Sequence, residues 1–221
     1  MHLYTEMHPY ATNSEERRNV LLGIALVSVG LAYVFHWLML HMNIQAPWWV
    51  GSPSVLGIAG VLYKAFDKWL WRWFRKLGIV KVPDIQGQWE VDGYTSFEKT
   101  KSFKAEVTIR QTWTHISVCL ETEQSTSWSL AASLLLNQPE EAVLIYQYRN
   151  YPKPNAVETM HTHIGTALLR LKNKNAECME GEYYSGRDRQ NYGGLTLRRK
   201  GNASLRRKGN ARRQPHPQLP L

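Results

Sequence analysis

Tryptophan, tyrosine, arginine and histidine recur at short, strand-like intervals through the later two thirds of this chain. Gly87 is followed by Trp89 and Gln111 by Trp113; then come YQYRN at 146–150, HTHIGT at 161–166 and GEYYSGRDR at 181–189. Aromatic faces stack on bases, and a guanidinium meets phosphate through two parallel hydrogen bonds. The inventory therefore suits a planar, polar, anionic ligand. For any single residue the plainer reading is a core side chain or a cross-strand pair.

Other chemistries find less support. His161 and His163 are two apart and share one side of a strand, as a metal pair would, but no third ligand stands at a suitable spacing. No serine, histidine and acid sit on a recognisable elbow, and no glycine-rich phosphate loop precedes a helix. The chain reads as a binder and not as an enzyme, with no cofactor or metal expected. Cys119 and Cys178 have no metal-ligand spacing and are expected as reduced, semi-buried thiols.

The elements that must position these residues are strands. Beyond Pro83 the apolar period changes from helical to alternating: Phe103, Ala105, Val107 and Ile109 interleave with Lys104, Glu106, Thr108 and Arg110. Eight strands are expected, near 85–94, 102–112, 115–123, 127–137, 141–149, 159–172, 177–185 and 192–199. Short links and the absence of a crossover helix favour an eight-stranded antiparallel β-barrel, with a two-sheet sandwich as the structural alternative. A barrel of that size holds packed side chains or one small ligand.

The N-terminal part is of another kind. Residues 20–42 contain no Asp, Glu, Lys or Arg and as a helix would reach about 34 Å, enough to cross a bilayer. A second uncharged run, residues 48–63, follows a short link, 43–47. It ends in Lys64 and Lys68 and then an aromatic and basic belt of Trp69, Trp71, Trp73, Arg72, Arg75 and Lys76. A two-helix transmembrane hairpin is expected, although an amphipathic interfacial helix also suits residues 48–76. Basic residues flank the hairpin on both outer sides and are missing from its link, so both termini should face the cytoplasm. Ser28 and Ala32 in the first span, and Gly57, Ala59 and Gly60 in the second, would permit close helix approach, within the hairpin or between copies.

The 221 residues carry a formal net charge of +9. Location matters more than the sum: the basic excess lies beside the apolar segments and after Leu197, while the intervening β-rich segment has more acidic than basic residues. That distribution favours contact with anionic lipid over a groove for DNA or RNA. The expected organisation is a cytoplasmic N-terminus (1–19), the hairpin with its basic flank (20–81), a cytosolic barrel (82–200) and a basic tail (201–221). The tail repeats LRRKGNA at 197–203 and 205–211, and its low apolar content and like charges imply disorder.

Six motifs in order carry a family resemblance behind the hairpin: IQGQW at 85–89, RQTWTHISV at 110–118, STSWSLAA at 125–132, LIYQYRNYP at 144–152, MHTHIGTALL at 160–169 and GEYYSGRDRQNYGGLTL at 181–197. The chain resembles the CBASS antiphage membrane effectors of the CD-NTase-associated protein 15 family over nearly its whole length to about Arg199. The resemblance implies a sensor in the bacterial inner membrane. A cyclic di- or oligonucleotide made by a partner nucleotidyltransferase (CD-NTase) binds the barrel, the hairpins oligomerise, the membrane fails and the cell dies. Residue chemistry placed on those motifs then points to Trp89, Trp113 and Tyr148 for stacking or pocket walls, Arg149, Arg187 and His163 for phosphate, and Asn150 and Thr166 for base edges. Two other classes stay open on the residues alone: a membrane-tethered carrier of a lipid or metabolite, and a scaffold whose barrel binds only protein.

Overall fold

The computed structural model describes residues 6–43, 48–97, 101–136, 142–172, 177–187 and 189–201. Two helices and a closed barrel make up the molecule. Helix α1, Glu16–His41, is apolar on every side and leaves Leu22, Leu26, Tyr33 and Leu40 more than half exposed. A helix of that composition belongs in lipid. Helix α2, Trp48–Ala65, packs back along α1; Ser28 is fully buried and returns its hydroxyl to the Ile24 carbonyl at 2.7 Å. Among the described residues α1 is the one helix that meets the length and apolarity of a membrane span. The expected two-span hairpin is therefore observed as one strong span and a shorter partner helix. Most of the expected 43–47 link, and the tail beyond Gly201, lie outside the described residues.

The helical run does not stop at Ala65. It passes through one π-helical turn, Phe66–Leu70, into α3, Trp71–Lys76. It ends at Gly78, whose φ of +76° is the left-handed conformation that closes a helix C-terminus without a Cβ penalty. Residues 79–86 then form a packed strap. Val80, Val82 and Ile85 are buried, the Ile85 amide donates to Gln111 Oε1 at 2.9 Å, and Gln111 Nε2 donates to the Pro83 carbonyl at 3.1 Å.

The barrel has nine strands and not eight. All eight expected strands are present: β2 Gly87–Thr95, β3 Lys101–Gln111, β4 His115–Glu121, β5 Ser125–Leu135, β6 Val143–Pro152, β7 His163–Leu171, β8 Cys178–Ser185 and β9 Tyr192–Arg199. They form an antiparallel meander that closes through β2 and β9, with Val91 opposite Leu197. The ninth, β1 His8–Thr12, comes from the segment ahead of the first helix. Strands β4 and β5 pair only from Cys119–Trp128 to Glu121–Thr126 and then part. A bulge between Ser129 and Ala131 bends β5 at this point. β1 fills the opening, antiparallel to β4 at His8 and Pro9 and parallel to β5 from Tyr10 to Thr12. The expectation of a purely antiparallel barrel is corrected there as well.

One buried joint ties helices to barrel. Glu16, at the start of α1, accepts from Trp113 Nε1 at 3.2 Å and from the Lys81 amide at 2.6 Å. Arg17 donates to the Tyr10 carbonyl at 2.7 Å and the Trp113 carbonyl at 3.2 Å. In the π turn, Phe66 meets the Trp113 ring edge-on at 4.8 Å, and Asp67 Oδ1 accepts from both the amide and the hydroxyl of Thr114. π turns often mark functional positions in helices. Here the turn presents Phe66 and Asp67 together to the β3–β4 connection.

Candidate functional site at the barrel mouth

Alternation along each strand sends every second side chain into the barrel, but the two ends are filled differently. At the helix end Trp89, Val107, Ile109, Leu144, Leu169 and Leu197 are all essentially inaccessible. At the far end the same inward rows change to Thr95, Ser125, Ser127, Tyr148, Asn150, His163 and Ser185, as the cross-strand registers require. Glycine makes room here for neighbouring backbone and aromatic rings. A Cβ on Gly165 would lie 2.3 Å from the Tyr148 ring, and one on Gly193 would lie 1.9 Å from the Tyr94 carbonyl oxygen.

The polar groups at the mouth are organised. Ser127 Oγ donates to Asn150 Oδ1 at 2.8 Å, and both are buried. His163 lies opposite Asn150, with its Nδ1 at 2.9 Å from the His161 carbonyl and its ring edge-on to Tyr148 at 6.5 Å. Burial pushes the Tyr148 phenol up to about 12, partly offset by the Ser185 hydroxyl beside it; burial likewise raises the Tyr183 phenol. Both remain neutral hydrogen-bond donors at physiological pH. Phe103 meets Tyr183 edge-on at 6.4 Å.

One cation reaches in. Between β8 and β9 the Gly186 amide donates to the Ile164 carbonyl at 2.7 Å, and Gln190 takes a φ of +49°. The connection thereby folds back and sets the Arg189 guanidinium over the Phe97 ring at 5.3 Å, near enough to Tyr148 and Tyr183 to favour their ionised forms. Arg189 Nε is 3.0 Å from the Asn191 side-chain oxygen once that amide is oriented to satisfy both its atoms. Arg189 Nη1 is buried and finds no hydrogen-bond partner among the described residues. A buried donor left unsatisfied costs on the order of 1–3 kcal/mol, more when charged, and an anionic ligand removes that cost.

The eight sequence candidates separate into three groups. Tyr148, Asn150 and His163 line the mouth together. Arg149 and Thr166 lie on the outer face, as alternation from Tyr148 and Gly165 requires, and Arg187 is exposed on the β8–β9 connection. Trp89 and Trp113 are buried at the opposite end. Trp89 Nε1 donates to the Ile85 carbonyl at 3.1 Å beneath Arg199, and Trp113 belongs to the helix–barrel joint. Arg189, Ser127, Ser185, Tyr183 and Phe97 were not singled out from the sequence. Arg189 stood inside a quoted motif two residues from Arg187; only the turn tells the two apart.

Among the described residues no group of three or more His, Cys, Asp or Glu could hold a metal ion. Cys119 and Cys178 are free, and burial pushes the Cys119 thiol up to about 11.

Comparison with known proteins converges on this architecture. The family profile of the Cap15 cyclic dinucleotide receptor domain matches residues 80–199, and that of the Cap15 TM helices matches residues 18–72. CD-NTase-associated protein 15 of Yersinia aleksiciae is 35% identical over 173 residues, covering 77% of this chain and 82% of that protein. With its membrane helix, closed barrel and receptor domain in this order, the chain belongs to the Cap15 family of CD-NTase-associated membrane proteins.

Proposed function

We propose that this chain is a CBASS effector that reads a cyclic dinucleotide at the barrel mouth and answers by assembling its membrane helices and breaching the inner membrane, so that the infected cell dies. The observation that carries the reading is the buried, unsatisfied Arg189 Nη1 beside Tyr148, at the end of the barrel where Asn150, His163, Ser127 and Ser185 stand on the inward rows of the receptor domain. Arg189 meets a phosphate, Tyr148 and Phe97 offer faces to a base, and Asn150 and the serines meet base edges. The messenger comes from a partner CD-NTase. No nucleic-acid polymer is called for.

Strand β1 supports a hairpin with both termini on the cytoplasmic side. β1 precedes α1, yet it is part of the same barrel as β2–β9. A chain that leaves the barrel through α1 and returns to it must cross the bilayer an even number of times. The continuous helical run from Trp48 to Lys76 is about 43 Å long and suffices for the return. The sensor then comprises β1 with residues 82–200, joined to the hairpin, residues 20–81, by the packed strap instead of a free linker.

Ligand must favour the assembled state. Moving a population from 1:99 to 99:1 takes roughly 5.5 kcal/mol of differential binding, within reach of two phosphate contacts and two stacked bases. An apolar cargo would need an apolar void, and the apolar end of this barrel is filled by Trp89 and the aliphatic rows around it. The test is the full chain in liposomes, titrated with a panel of cyclic di- and trinucleotides while dye release is followed. Leakage that depends on one ligand, and is lost in Arg189→Ala, is expected. Leakage equally strong without any ligand would overturn the reading.

A further inference from the structure

A groove of about 510 Å³ runs along the outside of the helix–barrel joint, between the π turn and the first residues of β2 and the last of β3. Lys68, Trp69, Arg72, Arg110, Gln86 and Gln88 are among the residues that line it, and no acidic residue does. Arg72 is already engaged. Its Nε is 3.1 Å from Asp84, and its Nη2 donates to Gln86 Oε1 at 2.6 Å, which fixes the groove wall. Lys68 and Arg110 are exposed, and Lys68 sits over the Trp69 ring at 5.8 Å. Two cations thus face a cleft with a prebuilt polar wall.

The groove lies where a bilayer surface must pass. Trp69 and Trp73 remain 62% and 71% exposed on the helix that emerges from the apolar run, with Leu77 and Ile79 exposed just beyond. Tryptophan at that depth anchors in the headgroup layer. Trp69 lines the groove together with Lys68 and Arg110, so an exposed ring stands beside both cations.

We infer that this groove binds the phosphate headgroup of an anionic phospholipid, seated between Lys68 and Arg110 with its acyl chains against Trp69. The site is separate from the barrel mouth and does not depend on which messenger the mouth accepts. It holds the barrel base at a set height on the bilayer, against the π turn that also carries Phe66 and Asp67 into the joint.

Native mass spectrometry of the full chain released from mixed micelles tests the site. Phosphatidylglycerol should stay bound to the unaltered chain while phosphatidylcholine is lost. In K68E/R110E the retained phosphatidylglycerol should fall at least about ten-fold, given about 1 kcal/mol per basic residue near an anionic surface. K104E makes the charge change of one of these two substitutions on β3, about 20 Å toward the mouth, and should retain the lipid. Equal retention of lipid by K68E/R110E and the unaltered chain, or of phosphatidylcholine and phosphatidylglycerol, overturns the proposal. So does retention of glycerol phosphate at the same concentration, which would mark a site for free phosphate instead of lipid. Should K68E/R110E melt early, K68Q/R110Q replaces it with the same expectations.

Discussion

The two ends of the barrel share strands β2–β9 and the same alternation, with β1 added only at the helix end, yet they differ in what they enclose. Toward the helices, Trp89, Ile109, Leu144 and Leu197 interdigitate with no access to solvent. Toward the mouth, serines, Asn150, His163 and neutral phenols take over the inward rows, and Gly165 and Gly193 make room for the Tyr148 and Tyr183 rings. The apolar end is therefore a plug that carries stability, and the polar end is the candidate site of recognition proposed above. The plug is also the end bonded to Glu16, Arg17 and Asp67, so under the proposed function a change at the mouth would reach the helices through a close-packed body.

This division is easiest to break from the plug. Trp89→Ala should cost about 3–5 kcal/mol, as large-to-small changes in filled cores do, read as a lowered urea midpoint. Loss of ligand binding without loss of stability would contradict the comparison. At the mouth, Arg189→Ala should weaken cyclic dinucleotide binding about ten- to a hundred-fold, the worth of a charge-assisted hydrogen bond, by calorimetry on the full chain, and leave the urea midpoint nearly unchanged. Arg187→Ala, with its side chain exposed, should change affinity far less. Glu16→Gln probes the joint between them. It weakens the acceptor for Trp113 Nε1 and the Lys81 amide, should cost about 1 kcal/mol of stability, and should leave ligand affinity intact while reducing dye release per ligand bound.

The effect confined to the most extreme conditions concerns pH. Tyr148 is neutral longer in the folded chain, with its pKa near 12 against the ordinary 10. Its contribution to stability is full below pH 10 and is lost as pH rises toward 12, by about 1.4 kcal/mol per unit of difference at most. Tyr148→Phe should accordingly shift the midpoint of alkaline unfolding upward. A midpoint that stays in place would show that the phenol at the mouth is better solvated than its burial implies.

Eight of the nine strands were legible because alternation is a local property, written into runs such as residues 103–110. β1 was not. Its five residues, HPYAT, contain a proline and carry little pattern, and they become a strand only because β4 and β5 part beside them. The site was legible in composition more than in position. Tyr148, Asn150 and His163 were named from residue chemistry alone, and the strand register places all three on the inward rows of β6 and β7. Arg149 and Thr166 went to the other face, since one step along a strand reverses the side on which a side chain stands.

The sequence alone determined the membrane helix, the barrel meander and the residue chemistry available to a nucleotide, because apolar runs and two-residue periods act over a few neighbours at a time. Only the tertiary structure decided that Trp89 fills a plug, that Trp113 fastens the joint, and that Arg189 and not Arg187 turns into the mouth. Those outcomes depend on register and on a turn held by Gly186 and Gln190 against a strand more than twenty residues away, and no local pattern records a contact made across that separation.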